Sequence, residues 1–141
     1  MRWSRMGTRT SSAIAMTTTR LRALAFVCAL ALVLPVAAAE SNKWRLQFSG
    51  DASADGEIEL VLTPKGGEAV HVLVAIPKGT GENRAAKMVV DAIRKHFGDA
   101  MYKSEVDDGE DVLIKARRGT PDFSAVVERN TTGLRINPDK E

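Results

Sequence analysis

The chain has 141 residues, with 20 Lys and Arg against 18 Asp and Glu, and its single cysteine is Cys28. Five arginines (Arg2, Arg5, Arg9, Arg20, Arg22) and no acid precede Glu40, so the segment from Glu40 onward carries 15 basic and 18 acidic side chains, a net −3. That balance gives nucleic-acid binding no compositional support, and a cysteine-free remainder excludes a disulfide framework and a thiolate zinc site.

The first 39 residues read as a secretory signal peptide. A basic leader precedes Ala23–Val36, an unbroken apolar run of 14 residues, and Ala37-Ala38-Ala39 supplies small residues for cleavage. The run falls short of the roughly 20 residues that span a bilayer, and Pro35 weakens it further as an anchor. Met16 is an alternative start that keeps a basic leader through Arg22. Ala25-Phe26-Val27 before Cys28 is not the small-residue pattern of lipid attachment. The expectation is an exported protein, periplasmic or extracellular, that meets the membrane only through its leader. The remaining 102 residues suit one domain over 40–137, with a tail at 138–141 that should fray.

In the exported part, Trp44, Leu46 and Phe48 alternate with Arg45 and Gln47, the period of a half-buried strand. Ser49 to Gly56 is turn chemistry. Ile58, Leu60 and Leu62 then alternate with Glu57, Glu59, Val61 and Thr63, and Pro64 to Glu68 turns the chain into Val70, Val72, Val74 and Ile76. These two runs predict an antiparallel hairpin with the even-numbered apolar residues inward.

The spacing then predicts a helix over 82–97. Ala85, Ala86, Val89, Ala92, Ile93 and Phe97 fall three and four apart, and Lys87, Asp91, Arg94 and Lys95 fall mainly on the other side. Met88 and Val90 fit the stripe less well, so at least one should flank it. Thr80 is the expected N-cap and Gly98 the expected residue of positive φ at the C-terminal end. Tyr102–Val106 and Val112–Ala116 flank an Asp108-Gly109 turn signal, Arg117–Asp122 is a further turn, Phe123–Val127 another strand, and Leu134 with Ile136 a short edge. The fold class is α+β: a mostly antiparallel sheet of five to six strands with a single helix packed on one face.

One helix covers one face, so the other should be wet or should meet a partner. Glu57, Glu59, His71 and Lys115 are expected there, together with Ala75 and four apolar partner-surface candidates: Val61, Leu73, Leu113 and Val126. The hairpin, the run "IPKGTGENRAAKMVVDAIRKHF" and the segments "YKSEVDDGEDVLIKA" and "FSAVVERN" together resemble the small β-β-α-β-β modules of phage tail-type structural proteins and bacterial surface proteins. The resemblance covers roughly Gly56 to Gly133 and lies in hydrophobic pattern and turn placement. It implies assembly or binding rather than catalysis and carries no site residues; the export signal departs from a phage tail component.

Motifs for chemistry are sparse. Lys78, Gly79, Thr80 and Gly81 lie between a strand and a helix start, where free N–H groups and the helix dipole can hold an anion. Glu82 already answers that dipole, and neither a dinucleotide fingerprint nor a Walker Gly-Lys-Ser/Thr is present. His71 and His96 lack a nucleophile elbow or metal-ligand spacing, so no catalytic residue, metal or cofactor is expected. Asp107, Asp108, Glu110 and Asp111 surround Gly109 but lack the spaced ligands of a calcium loop, and Asn130-Thr131-Thr132 matches a glycosylation sequon. The expected function is non-enzymatic protein–protein contact, with another protein or with itself; the alternative is a small-ligand or anion-binding protein using the Gly-rich turn.

Overall fold

The computed structural model describes residues 38–141, so the expected leader and Cys28 lie outside the described residues, except for its last two alanines. The chain forms β1 (Lys43–Ser49), β2 (Gly56–Pro64), β3 (Val70–Ile76), α1 (Glu82–Phe97), β4 (Tyr102–Asp107), β5 (Asp111–Ala116), β6 (Phe123–Asn130) and β7 (Arg135–Lys140). The α+β class holds, with every described strand pairing antiparallel, but among the described residues the strands number seven rather than five to six and divide into two sheets. One has the order β4-β5-β1-β7 and the other β3-β2-β6.

The division comes from connections that do not fold back as hairpins. Among the described residues only β2–β3 and β4–β5 are local hairpins, and both carry turn chemistry in their sequence. After β1 the chain is captured elsewhere: Ala52 N–H donates to Thr80 O, Gly79 N–H to Ala52 O, and Ser53 N–H to Thr132 O. These bonds satisfy a backbone that crosses from one sheet to the other. At Gly133 (φ 86) a Cβ would sit 2.1 Å from Ser53 Oγ, so only glycine lets the two crossing segments approach.

The residues expected to fray, 138–140, instead form the second half of β7 against Trp44, Arg45 and Leu46. Pro138 is tolerated there because β7 is an edge strand.

The helix buries Ala85, Ala86, Val89, Val90 and Ile93, with Met88, Ala92 and Phe97 half-buried against the core. It packs on β3 of one sheet and on β4, β5 and β1 of the other. Buried side chains of both sheets and the helix thus join one core, and Trp44 Nε1 donates across it to Phe123 O at 2.8 Å. Each fully buried aliphatic side chain contributes roughly 1.5–3 kcal/mol.

The helix start differs from expectation. Gly81, in extended backbone, is the N-cap, and Thr80 is buried with its Oγ1 donating to Pro77 O at 2.7 Å. The Thr80 hydroxyl closes the preceding turn rather than capping. At the other end Gly98 (φ 62) donates its N–H to Arg94 O.

Candidate functional site

Alternation along β2, β3 and β6 sends one set of side chains into the core and the other to the outer face of their sheet. Ile58, Leu60, Leu62, Val72, Val74 and Ile76 are buried. Outward stand Val61, directly paired with His71 on one side and Val126 on the other, and Leu73, which is opposite Glu59 and diagonal to Val61. Leu73 is 56% exposed and Val126 42%, so an apolar band crosses all three strands in contact with water. Three of the four expected partner-surface residues meet there.

A bulge shapes the rest of this face. The β2–β6 register shifts between Glu59 and Leu60, leaving Glu128 unpaired and setting Arg129 opposite Glu59. Arg129 therefore bridges Glu57 and Glu59, while His71 Nδ1 lies 2.8 Å from Glu59 Oε1 and 3.5 Å from Glu128 Oε2. Glu59, His71 and Glu128 bring their ligating atoms within 4.8 Å of one another, a grouping that no sequence spacing announces. Arg129 already supplies positive charge to this group, and the four side chains frame the apolar band.

Leu113, the fourth candidate, belongs to the other sheet. It is half-buried on β5 between Arg45 and Glu105, its partners on either side. Arg45 organises that face: its guanidinium contacts Asp107 (3.0 Å), Asp108 (3.8 Å), Asp111 (2.9 Å) and Glu141. Hydrogen bonds to Glu141 and then Asp111 raise the Arg45 guanidinium above its ordinary value. Lys43 first, and Arg45 second, hold the Glu141 carboxyl below the usual carboxylate range. The acidic loop is thus answered by one arginine far upstream in the chain, 66 positions before Asp111. Its tip is a three-residue connection, Asp108 to Glu110, with Asp108 (φ 51) and Gly109 (φ 91) both in positive φ.

No family model matches the chain, and no curated protein matches it. The surfaces themselves carry the functional argument.

The Gly-rich turn is internally bonded. Lys78 N–H donates to Asp55, Gly79 N–H to Ala52 O and Thr80 N–H to Pro77 O. The hollow at the start of α1, lined by Gly50, Asp51, Gly81, Glu82, Asn83 and Arg84, has two carboxylates on its wall. Glu82 accepts the Gly50 N–H at 2.7 Å. His96 stacks edge-on with Phe97 near the end of α1. Asn130 of the sequon is half-buried, its amide donating to Leu134 O while its oxygen accepts from Thr132 N–H and Oγ1. That amide closes the β6–β7 crossing. Among the described residues no helix is long and apolar enough to cross a membrane.

Proposed function

We propose that this chain is an exported, non-enzymatic domain that acts by protein–protein contact through the outer face of the β3–β2–β6 sheet. The observation that carries the reading is the exposed band of Leu73, Val61 and Val126. Burying such a band gives association a driving force, and the charged frame around it sets orientation. Three acids (Glu57, Glu59, Glu128) against Arg129 favour a partner whose apolar patch is rimmed by Lys or Arg. The resemblance to assembly modules points the same way.

A photo-crosslinking residue at Val126, compared with one at Leu113, tests this in the cells that make the protein. A discrete adduct from position 126, lost on Val61→Lys and absent from position 113, is the expected result. The same adducts from both positions, or none from 126, overturn the reading.

A further inference from the structure

We infer that two copies of this chain pair edge to edge through β3, antiparallel about a twofold axis at Leu73, so that two three-stranded sheets become one of six strands. The contact is the main-chain edge rather than the outer face, so this inference goes beyond the reading above and either can fail alone.

The argument starts from how each sheet edge is protected. Edge strands invite pairing unless charge, proline, a bulge or a covering segment blunts them. β4 carries Lys103, Glu105 and Asp107, and β7 carries Arg135, Pro138, Asp139 and Lys140. β6 has the bulge with Glu128 and Arg129, and Ser41 bridges to its first residue, Phe123. Among the described residues β3 has none of these devices. It reads Val70-His71-Val72-Leu73-Val74-Ala75-Ile76, without proline, glycine, acid, lysine or arginine, and its ladder with β2 has no bulge. Among the described residues, no backbone group outside β2 bonds to it. Seven residues of high β-propensity therefore present an open row of donors and acceptors.

The helix leaves this edge accessible. One hollow between β3 and α1 is lined by Val72, Leu73, Ala92, Lys95 and His96, and a second includes Ala75, Ile76 and Met88. The ground beside the strand is thus mixed, with apolar side chains next to the edge and Lys95, His96 and Asp55 at its margins.

Self-complementarity selects the occupant. Pairing must keep outward residues on the outward face, so only same-parity registers are allowed. Centring on Leu73 sets Leu73 against Leu73 of the other copy, Val72 against Val74, His71 against Ala75 and Val70 against Ile76. Just beyond the strand it brings Glu68 of each copy level with Lys78 of the other. Neither side chain has an ionic partner among the described residues. Centring on Val72 or Val74 instead sets Glu68 against Ile76, or Lys78 against Val70. A twofold contact of this kind closes on itself and stops at the dimer.

Sedimentation of the purified protein tests the inference. The expected mass is that of a dimer, reduced to the monomer by Leu73→Lys, which places two ammonium groups face to face at an already exposed position. Glu68→Lys should weaken the dimer by about three- to tenfold at low salt, and Glu68→Lys with Lys78→Glu should restore it. Opposed Cα atoms about 4.5–5.5 Å apart lie within disulfide range, so Leu73→Cys in a Cys28→Ser background should oxidise to a covalent dimer. His71→Cys in that background should not, because it faces Ala75. Val126→Lys should leave the dimer intact, which separates this contact from the outer-face one. A monomer at roughly 0.1 mM, a dimer that survives Leu73→Lys, or equal cross-linking at 71 and 73 overturns the proposal, including in favour of a foreign strand on the same edge.

Discussion

The outer faces of the two sheets are built from the same alternation and end in opposite states. On the four-stranded sheet Arg45 gathers Asp107, Asp108, Asp111 and Glu141, and the one large apolar residue at its centre, Leu113, is half-buried beside that cluster. On the three-stranded sheet the ions lie at one end and leave Leu73 and Val126 in water. Val106, 38% exposed, does not alter the contrast, since it shares the inward parity of Tyr102 and Ser104 on β4. A central arginine turns a sheet face into solvated surface, whereas charges pushed to one side leave a face that gains by being covered.

The sharpest way to break this two-sheet picture is to remove the side chain between the sheets. Phe123 is fully buried against Tyr102, and its carbonyl accepts the Trp44 indole. Phe123→Ala should cost about 3–5 kcal/mol in denaturant unfolding. A loss under about 1 kcal/mol would mean that the sheets do not share a core.

Next comes the charged face. Arg45→Ala should lower the melting temperature, and added salt should recover part of the loss by screening the four carboxylates left facing one another. Acid should act through Glu141. Its carboxyl is depressed in the folded state, so the unfolded chain binds more protons as the pH drops. The stability it contributes is complete above the ordinary carboxylate value of 4.5 and is lost as the pH falls through the lower folded value. Glu141→Gln should flatten that part of the acid profile.

Tyr102 tests the core beneath. Its hydroxyl is buried without a hydrogen-bond partner among the described residues, and burial pushes it up from 10.0. Stability should therefore be complete below pH 10 and decline as the pH rises toward the folded value. Tyr102→Phe should remove that decline and, at neutral pH, change stability by no more than about 1 kcal/mol in the stabilising direction, because it deletes an unsatisfied group. The smallest effect belongs to the apolar face: Val126→Lys should move unfolding in denaturant by no more than about 0.5 kcal/mol.

Six strands and the helix are readable from periodicity, with ends within one or two residues for most, because alternation and the three-four spacing are local; β7 is not, since only Ile136 of its alternation is apolar and its second half reads as a fraying tail. The β2–β3 hairpin is equally legible, since a short turn fixes its register; for β4–β5 the Asp108-Gly109 signal marks a two-residue turn, whereas the connection has three residues, Asp108 to Glu110. The outer-face residues Val61, Leu73 and Val126 followed from strand parity alone. Leu113 did not belong with them, because parity says which side of a strand a residue takes and nothing about which sheet receives the strand. The acids around Gly109 read as a turn without the spaced ligands of a calcium loop; Arg45 joins them only because β1 pairs with β5. Likewise Glu59, His71 and Glu128 meet through two strand pairings and a bulge.

By itself the sequence determined the elements, their inward faces and the two hairpins, all properties of residues a few positions apart. Tertiary structure alone decided the partition into two sheets, the pairing of β7 with β1 and the two ion clusters. Those depend on backbone bonds such as Ser53 to Thr132, where residues 79 positions apart meet because each crossing segment must satisfy its buried amides, and no local pattern encodes which carbonyl will be there.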